Sequence, residues 1–320
     1  MSVSPKASFI LPAYKRRFLR EAIQSILAQT ERDFELVVVD DASPENLREV
    51  VDSFGDPRLS YHRNETNIGG KDLVAAWNHA MTFARAEWCI LASDDDIYMP
   101  GFLEEMFRLQ AKHPRCDLFH CRVAVVDAEG QWLYLGDQRT ETESQIEMAY
   151  SRGVLHLQQA APDFMFRRSA LEEIGGFVNF PLAWYSDDAT WMELSRNGCV
   201  CSEKVLFQTR VSGANISADS DCTVDKKLQA CTLFRKWVHD FAAGLHATNE
   251  VEGFILQALV GNVDRTINLA MAEIITNMAS FWSWCKVLRK APLPRALKTK
   301  CLYRRFKMSW VWRALAPKSP

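Results

Sequence analysis

No run of ~20 apolar residues occurs in this 320-residue sequence, so no helix is expected to cross a membrane. The most apolar late stretch, 254–288, is interrupted by Asp264, Arg265 and Glu273. Nothing at the start reads as a secretory signal. The nine cysteines are odd in number and scattered, and no pair has the CxxC spacing of a zinc or redox site. Cys199 and Cys201 are two apart, and Cys89 sits in an apolar run. These features predict reduced thiols in a cytoplasmic protein. GxGxxG does not follow the first apolar run, which removes a dinucleotide-binding reading, and GxxxxGK[ST] is missing, which removes a P-loop. The formal net charge of −2 gives no signal for nucleic acid. Internal repeats and low-complexity tracts are missing as well.

Acidic residues are themselves missing from one region. Over 286–320 every charged side chain is positive, from Lys286, Arg289 and Lys290 to Arg313 and Lys318. Trp282, Trp284, Trp310 and Trp312 are interleaved with this run or flank it, and Tyr303, Phe306 and Met308 add apolar surface. A basic helix with aromatic residues suits an anionic membrane surface, at ~1 kcal/mol per Lys or Arg near it. The alternative is a solvated basic helix that packs its tryptophans on the domain or on a second subunit, as in a homo-oligomer.

What is present in the first two hundred residues is an alternation. Short apolar runs at 8–11, 34–39, 59–62 and 88–92 read as strands, and 18–29, a stretch opened by Pro44, and 71–85 read as helices. The uninterrupted valines at 37–39 predict a strand buried on both faces. This order implies a parallel sheet with right-handed crossovers, where ligands bind beyond the carboxyl ends of the strands. Two acidic clusters fall at such ends: Asp40-Asp41 and Asp94-Asp95-Asp96. Three adjacent carboxylates at a buried strand end repel one another unless a cation sits among them. Mg²⁺ sites commonly combine one or two carboxylates with substrate phosphates. A solvated acidic turn is the plainer alternative for a single cluster, and two clusters at two strand ends weigh against it.

Further along, 101–112 reads as a helix, 118–126 as a strand with a turn at 127–130 into 131–135, and 136–150 as a polar, irregular loop. A short apolar run at 163–167 and a helix at 169–174 stop at Gly175-Gly176. Asp187-Asp188 opens the helix 189–196, where acidic residues are ordinarily caps or dipole partners. A last strand at 205–211 is followed by long helices at 225–244 and 249–288.

The ordered set Phe9-Ile10-Leu11-Pro12-Ala13-Tyr14, Val37-Val38-Val39-Asp40-Asp41, Asn67-Ile68-Gly69, Ser93-Asp94-Asp95-Asp96 with Pro100, Gly175-Gly176-Phe177 and Asp187-Asp188 resembles the family 2 glycosyltransferases of the GT-A fold. The resemblance covers about 7–217. It implies an α/β, Rossmann-like, mostly parallel central sheet flanked by helices. Residues 1–217 would be the catalytic domain, 218–290 an α-helical extension, and 291–320 the basic tail. It implies a nucleotide-sugar donor, foremost a UDP-sugar, a divalent Mn²⁺ or Mg²⁺, and inversion at the anomeric carbon. By position, Pro12, Tyr14, Asp40, Asp41, Lys71 and Asp94 fall on the nucleotide-sugar side. Asp95 and Asp96 fall at the metal. Asp188 falls at the general base with Asp187 beside it, in place of the family's Glu.

The chemistry of glycosyl transfer is consistent with these residue types. The leaving diphosphate gains charge, which a carboxylate-held metal stabilises. The acceptor hydroxyl loses a proton to a positioned carboxylate, and fixed contacts to the nucleoside supply proximity. Two departures stand out. Lys15 replaces the usual Asn, and Ser212 stands where many relatives have a His. The Gln-x-x-Arg-Trp motif of processive synthases is missing, so one sugar is expected to move to a glycan or lipid-linked acceptor, as in surface polysaccharide biosynthesis. A nucleotidyltransferase would want a Gly-rich loop after the first strand, and Lys15-Arg16-Arg17 has none. A GT-A-like binding protein without catalysis is the other rival.

Overall fold

The computed structural model describes residues 4–212 and 221–315, with 306–315 described as helix backbone alone. Its first part is the expected alternation: β1 (Ala7–Ala13), α1 (Leu19–Leu27), β2 (Phe34–Asp40), α2 (Leu47–Asp52), β3 (Leu59–Arg63), α3 (Leu73–Met81) and β4 (Trp88–Leu91). β1 pairs in parallel with β2 on one side and β4 on the other, and β2 pairs in parallel with β3. Every residue of β2 is buried, as the valine run requires. Each fully buried Val or Leu there contributes about 1.5–3 kcal/mol.

The chain continues through a two-residue strand β5 (Ile97–Tyr98), α4 (Phe102–Lys112), β6 (Leu118–Val126), β7 (Trp132–Leu135) and β8 (Thr142–Glu143). It then forms α5 (Gln145–Tyr150), β9 (Phe164–Arg167), α6 (Arg168–Glu173), α7 (Ser186–Leu194) and β10 (Cys199–Arg210). The sheet order is β3-β2-β1-β4-β9-β6-β10-β5. β9 is wedged antiparallel between β4 and β6, while β10 runs parallel to β6. The sheet is therefore mixed, with β3, β2, β1, β4, β6 and β10 sharing one direction. Their carboxyl ends form one rim.

Several expectations about local structure change; α7 starts at Ser186 instead of 189, and the last strand starts at Cys199 instead of 205. α2 starts at Leu47 with Asn46 as its cap, not at Pro44, because the Asn46 side chain accepts the Glu49 amide. α3 starts two residues later than expected, where the Asp72 side chain accepts the Ala75 amide. The stretch 136–150 is not all irregular. It contains β8 and α5, whose start is closed by a reciprocal capping box between Ser144 and Glu147. A π-helical turn, Ser151–Leu155, extends α5.

The helical part consists of α8 (Val224–Ala243), α9 (Glu250–Thr276), α10 (Phe281–Lys290) and α11 (Arg295–Leu315). The expected helix 249–288 is two helices, since Asp221 accepts the Ala279 and Ser280 amides and Ser280 caps α10. These helices share one core with Ala149, Phe180, Ala189 and Met192 of the sheet part. Gly153 of the π-helical turn lies so close to α9 that a Cβ there would meet the Leu259 side chain at 3.0 Å. The helical part thus packs directly on α5, the π-helical turn and α7. No described helix is long and apolar enough to cross a membrane.

Candidate active site

The acidic triplet leaves β4 at the rim, and its three carboxylates are held differently. Asp94 Oδ2 accepts the backbone amides of Tyr14 and Lys15, both at 2.9 Å, which ties the triplet to the end of β1. Asp96 is buried. Its Oδ2 accepts from Ser93 Oγ, and its Oδ1 accepts the Arg210 amide at 2.8 Å. Arg210 in turn spans the site's floor. Its Nε donates to the Asp95 carbonyl (3.0 Å), Nη1 to the Ala128 carbonyl (2.9 Å), and Nη2 to Glu21 (2.7 Å). Asp95 is half-buried, and Arg210 and Lys15 favour its charge.

Burial raises all three carboxyls above the usual range. For Asp95 the Asp94 charge adds to burial, and for Asp96 the Asp95 charge does, lifting Asp96 to about 7. Carboxylates held at this cost suit a cation. Among the described residues no group of three or more His, Cys, Asp or Glu could enclose a metal by itself. The donor set fits an ion gripped by one protein carboxylate, Asp95, and otherwise by phosphate oxygens. Asp96, expected at the metal, has both oxygens committed to the fold.

At the end of β2 the two acids also divide. Asp40, expected at the nucleotide, is fully buried. It accepts the Ser43 amide (2.7 Å), the Tyr61 hydroxyl and the Arg63 guanidinium. These bonds tie it to the β2–β3 edge. Asp41 takes the Asn64 side chain at 2.8 Å and the Ile68 and Gly69 amides at 2.9 and 2.7 Å. It shapes the loop that leads to Lys71. A Cβ at Gly69 would lie 3.0 Å from Asp41 Oδ2, so a side chain there would press the carboxylate aside by a few tenths of an ångström. Pro12 pairs with Val39 inside the sheet, Tyr14 is exposed on the rim, and Lys71 is exposed just before the cap of α3.

The second acidic pair opens α7. Asp188 is buried, and its Oδ1 accepts from Arg152 Nε (2.6 Å) and Arg152 Nη2. Arg152 sits on the π-helical turn and also donates to the Leu157 carbonyl. Asp187 is half-buried beside it. Burial and the Asp188 charge raise its carboxyl to about 7, against the Arg152 charge. Leu182, Ala183 and Tyr185 have positive φ (62°, 55° and 69°) just before this pair, and His156 (50°) just after Arg152. Such conformations cost of order 1–3 kcal/mol each and concentrate at functional sites.

The two halves are joined. Asp72, next to Lys71, accepts from Asn179 at 2.8 Å. One residue on, the Phe180 amide donates to Ser186 Oγ at the start of α7. The Asn78 side chain accepts the Phe177 amide at 2.9 Å, and Gly176 (φ 98°) makes room for it. The Asp41 loop and the Asp187-Asp188 helix start thus belong to one hydrogen-bonded frame. Arg152 and Arg210 escape the sequence reading as site residues. Only the capping box Ser144-x-x-Glu147 hints at the element that carries Arg152. Ser212, which stands where many relatives have a His, is half-buried, and 213–220 after it lie outside the described residues.

The fold recurs in solved structures. The solved structure of Staphylococcus aureus TarS 1–349 in complex with UDP-GlcNAc matches with a TM-score of 0.62 at 17% identity, covering 97% of this chain and 92% of that one. A mannosyltransferase of Pyrobaculum calidifontis, solved with GDP-Man and Mn²⁺, matches with a TM-score of 0.56 at 16% identity, covering 99% and 89%. An uncharacterized glycosyltransferase of Rickettsia typhi is 30% identical over 221 residues, 66% of this chain and 65% of the relative, so the match spans just under two thirds of that protein. The glycosyl transferase family 2 model matches residues 8–175, more than half of the 320, and the chain belongs to that family.

Proposed function

We propose that this protein is an inverting, metal-dependent glycosyltransferase that moves one sugar from a nucleotide-sugar donor, foremost a UDP-sugar, to a glycan or lipid-linked glycan acceptor, as in surface polysaccharide assembly. The observation that carries this reading is the pair of hydrogen bonds from the Tyr14 and Lys15 amides to Asp94. They put the loop expected at the nucleoside and the triplet expected at the diphosphate into one rigid unit.

In this reading Pro12, Tyr14 and Asp41 orient the nucleoside, and Lys71 flanks it. Asp95 would hold Mn²⁺ or Mg²⁺, which when bound supplies Lewis-acid stabilisation of the leaving diphosphate. Asp96 and Asp40 are positioning residues. Asp188 accepts the proton of the acceptor hydroxyl on the oxygen that Arg152 leaves over. The deprotonated hydroxyl forms the new bond to the anomeric carbon as the bond to the diphosphate breaks. A single displacement of this kind inverts the centre. Arg152 aims Asp188 through two hydrogen bonds, and Asp187 sits beside it.

Membrane contact is assigned to the exposed face of α10 and the adjoining α11. Trp284 is buried in the helical core, while Trp282 is 82% exposed and Lys286, Arg289 and Lys290 are exposed with it. The side chains of Trp310 and Trp312 lie outside the described residues.

The test of the reading is a thermal-shift screen of UDP-, GDP- and dTDP-sugars with Mn²⁺ or Mg²⁺. One donor should raise apparent stability by about 2.7 kcal/mol at a hundredfold excess over its dissociation constant. A chelator should remove the effect. A protein that responds to none of these donors, with or without metal, contradicts the reading.

A further inference from the structure

A chain of hydrogen bonds leads from α3 to Asp41. The Asn64 side chain donates from Nδ2 to Asp41 Oδ1 at 2.8 Å. At its other end the His79 ring places Nε2 3.1 Å from Asn64 Oδ1. The chemistry of the three groups sets the direction of both bonds. A carboxylate only accepts, so the Asn64 atom that faces it is the amide nitrogen. The amide oxygen then faces His79. That oxygen also only accepts, so His79 Nε2 carries the hydrogen.

Separate elements fix the members of this chain. His79 is half-buried in the last turn of α3, and its ring meets the Phe83 ring at 5.5 Å and 82°. Phe83 in turn stacks on His62 of β3 at 4.2 Å and 25°. Asn64 directly follows β3, and its backbone amide donates to the Asp40 carbonyl at 2.8 Å. At Asp41, Oδ1 accepts from Asn64 and from the Ile68 amide, and Oδ2 accepts the Gly69 amide. A carboxylate has about four lone-pair sites. Among the described residues the site left over therefore belongs to Oδ2. The Ile68 and Gly69 amides belong to the loop itself, so Asn64 is the member that ties the carboxylate to the α3 side of the fold. Without the His79 hydrogen, the Asn64 amide is held at one end only, and the tie loosens.

We infer that His79 is a positioning residue for the nucleotide site, which acts through Asn64 to fix the Asp41 carboxylate. The inference rests on the transferase reading, in which Asp41 orients the nucleoside. The probes are UDP, GDP and dTDP with Mn²⁺, titrated calorimetrically into the full chain, and the tightest binder is carried through the variants. His79→Leu keeps the bulk and drops the N–H, and it should weaken binding about five- to tenfold, the worth of one hydrogen bond. His79→Gln returns an amide N–H near the place of Nε2 and should recover most of that loss. Asn64→Leu should weaken binding at least as much as His79→Leu. Adding His79→Leu to Asn64→Leu should cost nothing more, because the two residues act in series. A histidine that only tied α3 to β3 would change the melting temperature without producing this order of affinities. Equal affinity of wild type and His79→Leu overturns the relay, as does a loss that Gln fails to repair or losses that add in the double variant. Should His79→Leu not fold, His79→Gln near wild type with Asn64→Leu weakened supports the relay, and any other order overturns it. Each overturning result defeats the relay alone while the wild type binds a nucleotide. A wild type that binds none of the three defeats the transferase reading and the relay with it.

Discussion

Arg152 and Asp188 form a buried ion pair in which two guanidinium nitrogens converge on a single carboxylate oxygen, Oδ1. Neither of these two bonds uses the second oxygen, Oδ2. Removing one partner of such a pair leaves an uncompensated buried charge, at a cost of about 3–5 kcal/mol. Arg152→Met should therefore be destabilised on that scale in denaturant unfolding. The Arg152 charge also holds the neighbouring Asp187 carboxyl down. Without it the acidic limb of the rate profile should move to higher pH. Arg152→Lys should leave the limb near its wild-type position while lowering kcat, since a point charge cannot grip Oδ1 twice. An unshifted limb in Arg152→Met would show that the arginine only supports the fold.

Asp187 supplies a pH signature of its own. Its carboxyl is raised to about 7 in the folded chain by burial and by Asp188. Between the ordinary carboxylate range and about 7, the folded state binds the extra proton. Stability from this group is therefore present at low pH and lost as pH rises through that window. Asp187→Asn should raise the melting temperature relative to wild type, and by more at pH 8 than at pH 5. Equal differences at both pH values would contradict the assignment.

Asp40 and Asp95 should separate stability from donor chemistry. Asp40→Asn weakens the acceptor for Ser43, Tyr61 and Arg63 and should cost about 1–3 kcal/mol, with metal-dependent donor stabilisation retained. Asp95→Asn removes a strained carboxylate and should not lower the melting temperature, but metal-dependent donor stabilisation should vanish. Thermal shifts with and without chelator check both variants.

For the membrane face, deleting 286–320 would remove α11 and half of α10, including the buried Leu288 and Cys301. Surface substitutions are the cleaner probe. Lys286→Glu/Arg289→Glu/Lys290→Glu should abolish co-sedimentation with phosphatidylglycerol vesicles, at ~1 kcal/mol per basic residue lost. Trp282→Ala by itself should weaken it, and phosphatidylcholine vesicles should bind neither wild type nor variant. Wild-type protein that fails to sediment with either vesicle refutes the assignment.

Much of the frame was legible in the chain. β6 matches its expected bounds, 118–126, because an apolar run between turn residues leaves few alternatives. The rim acids were legible because strand ends are marked by where valine runs stop. Their division of labour was not. Asp40 reads like Asp41 until Tyr61 and Arg63, some twenty residues away in sequence, close on it. Asp96 reads like Asp95 until β10 returns with the Arg210 amide. Arg152 left no periodic trace, because it lies on a π-helical turn and its partner is 36 residues on. β5 and β8 are two residues each and, among the described residues, pair only with β10, so no local pattern announces them. The split between α9 and α10 depends on Asp221 reaching Ala279 and Ser280, a contact made only in the folded chain.

The central claim is that Asp188 takes the proton while the β1 and β4 rim holds the donor. The most direct measurement compares Asp188→Asn with wild type for sugar transfer and for donor-induced thermal shift in one preparation. The account predicts transfer reduced by about 10²–10⁴-fold, with the metal-dependent donor shift unchanged. Transfer at the wild-type rate in Asp188→Asn would contradict it.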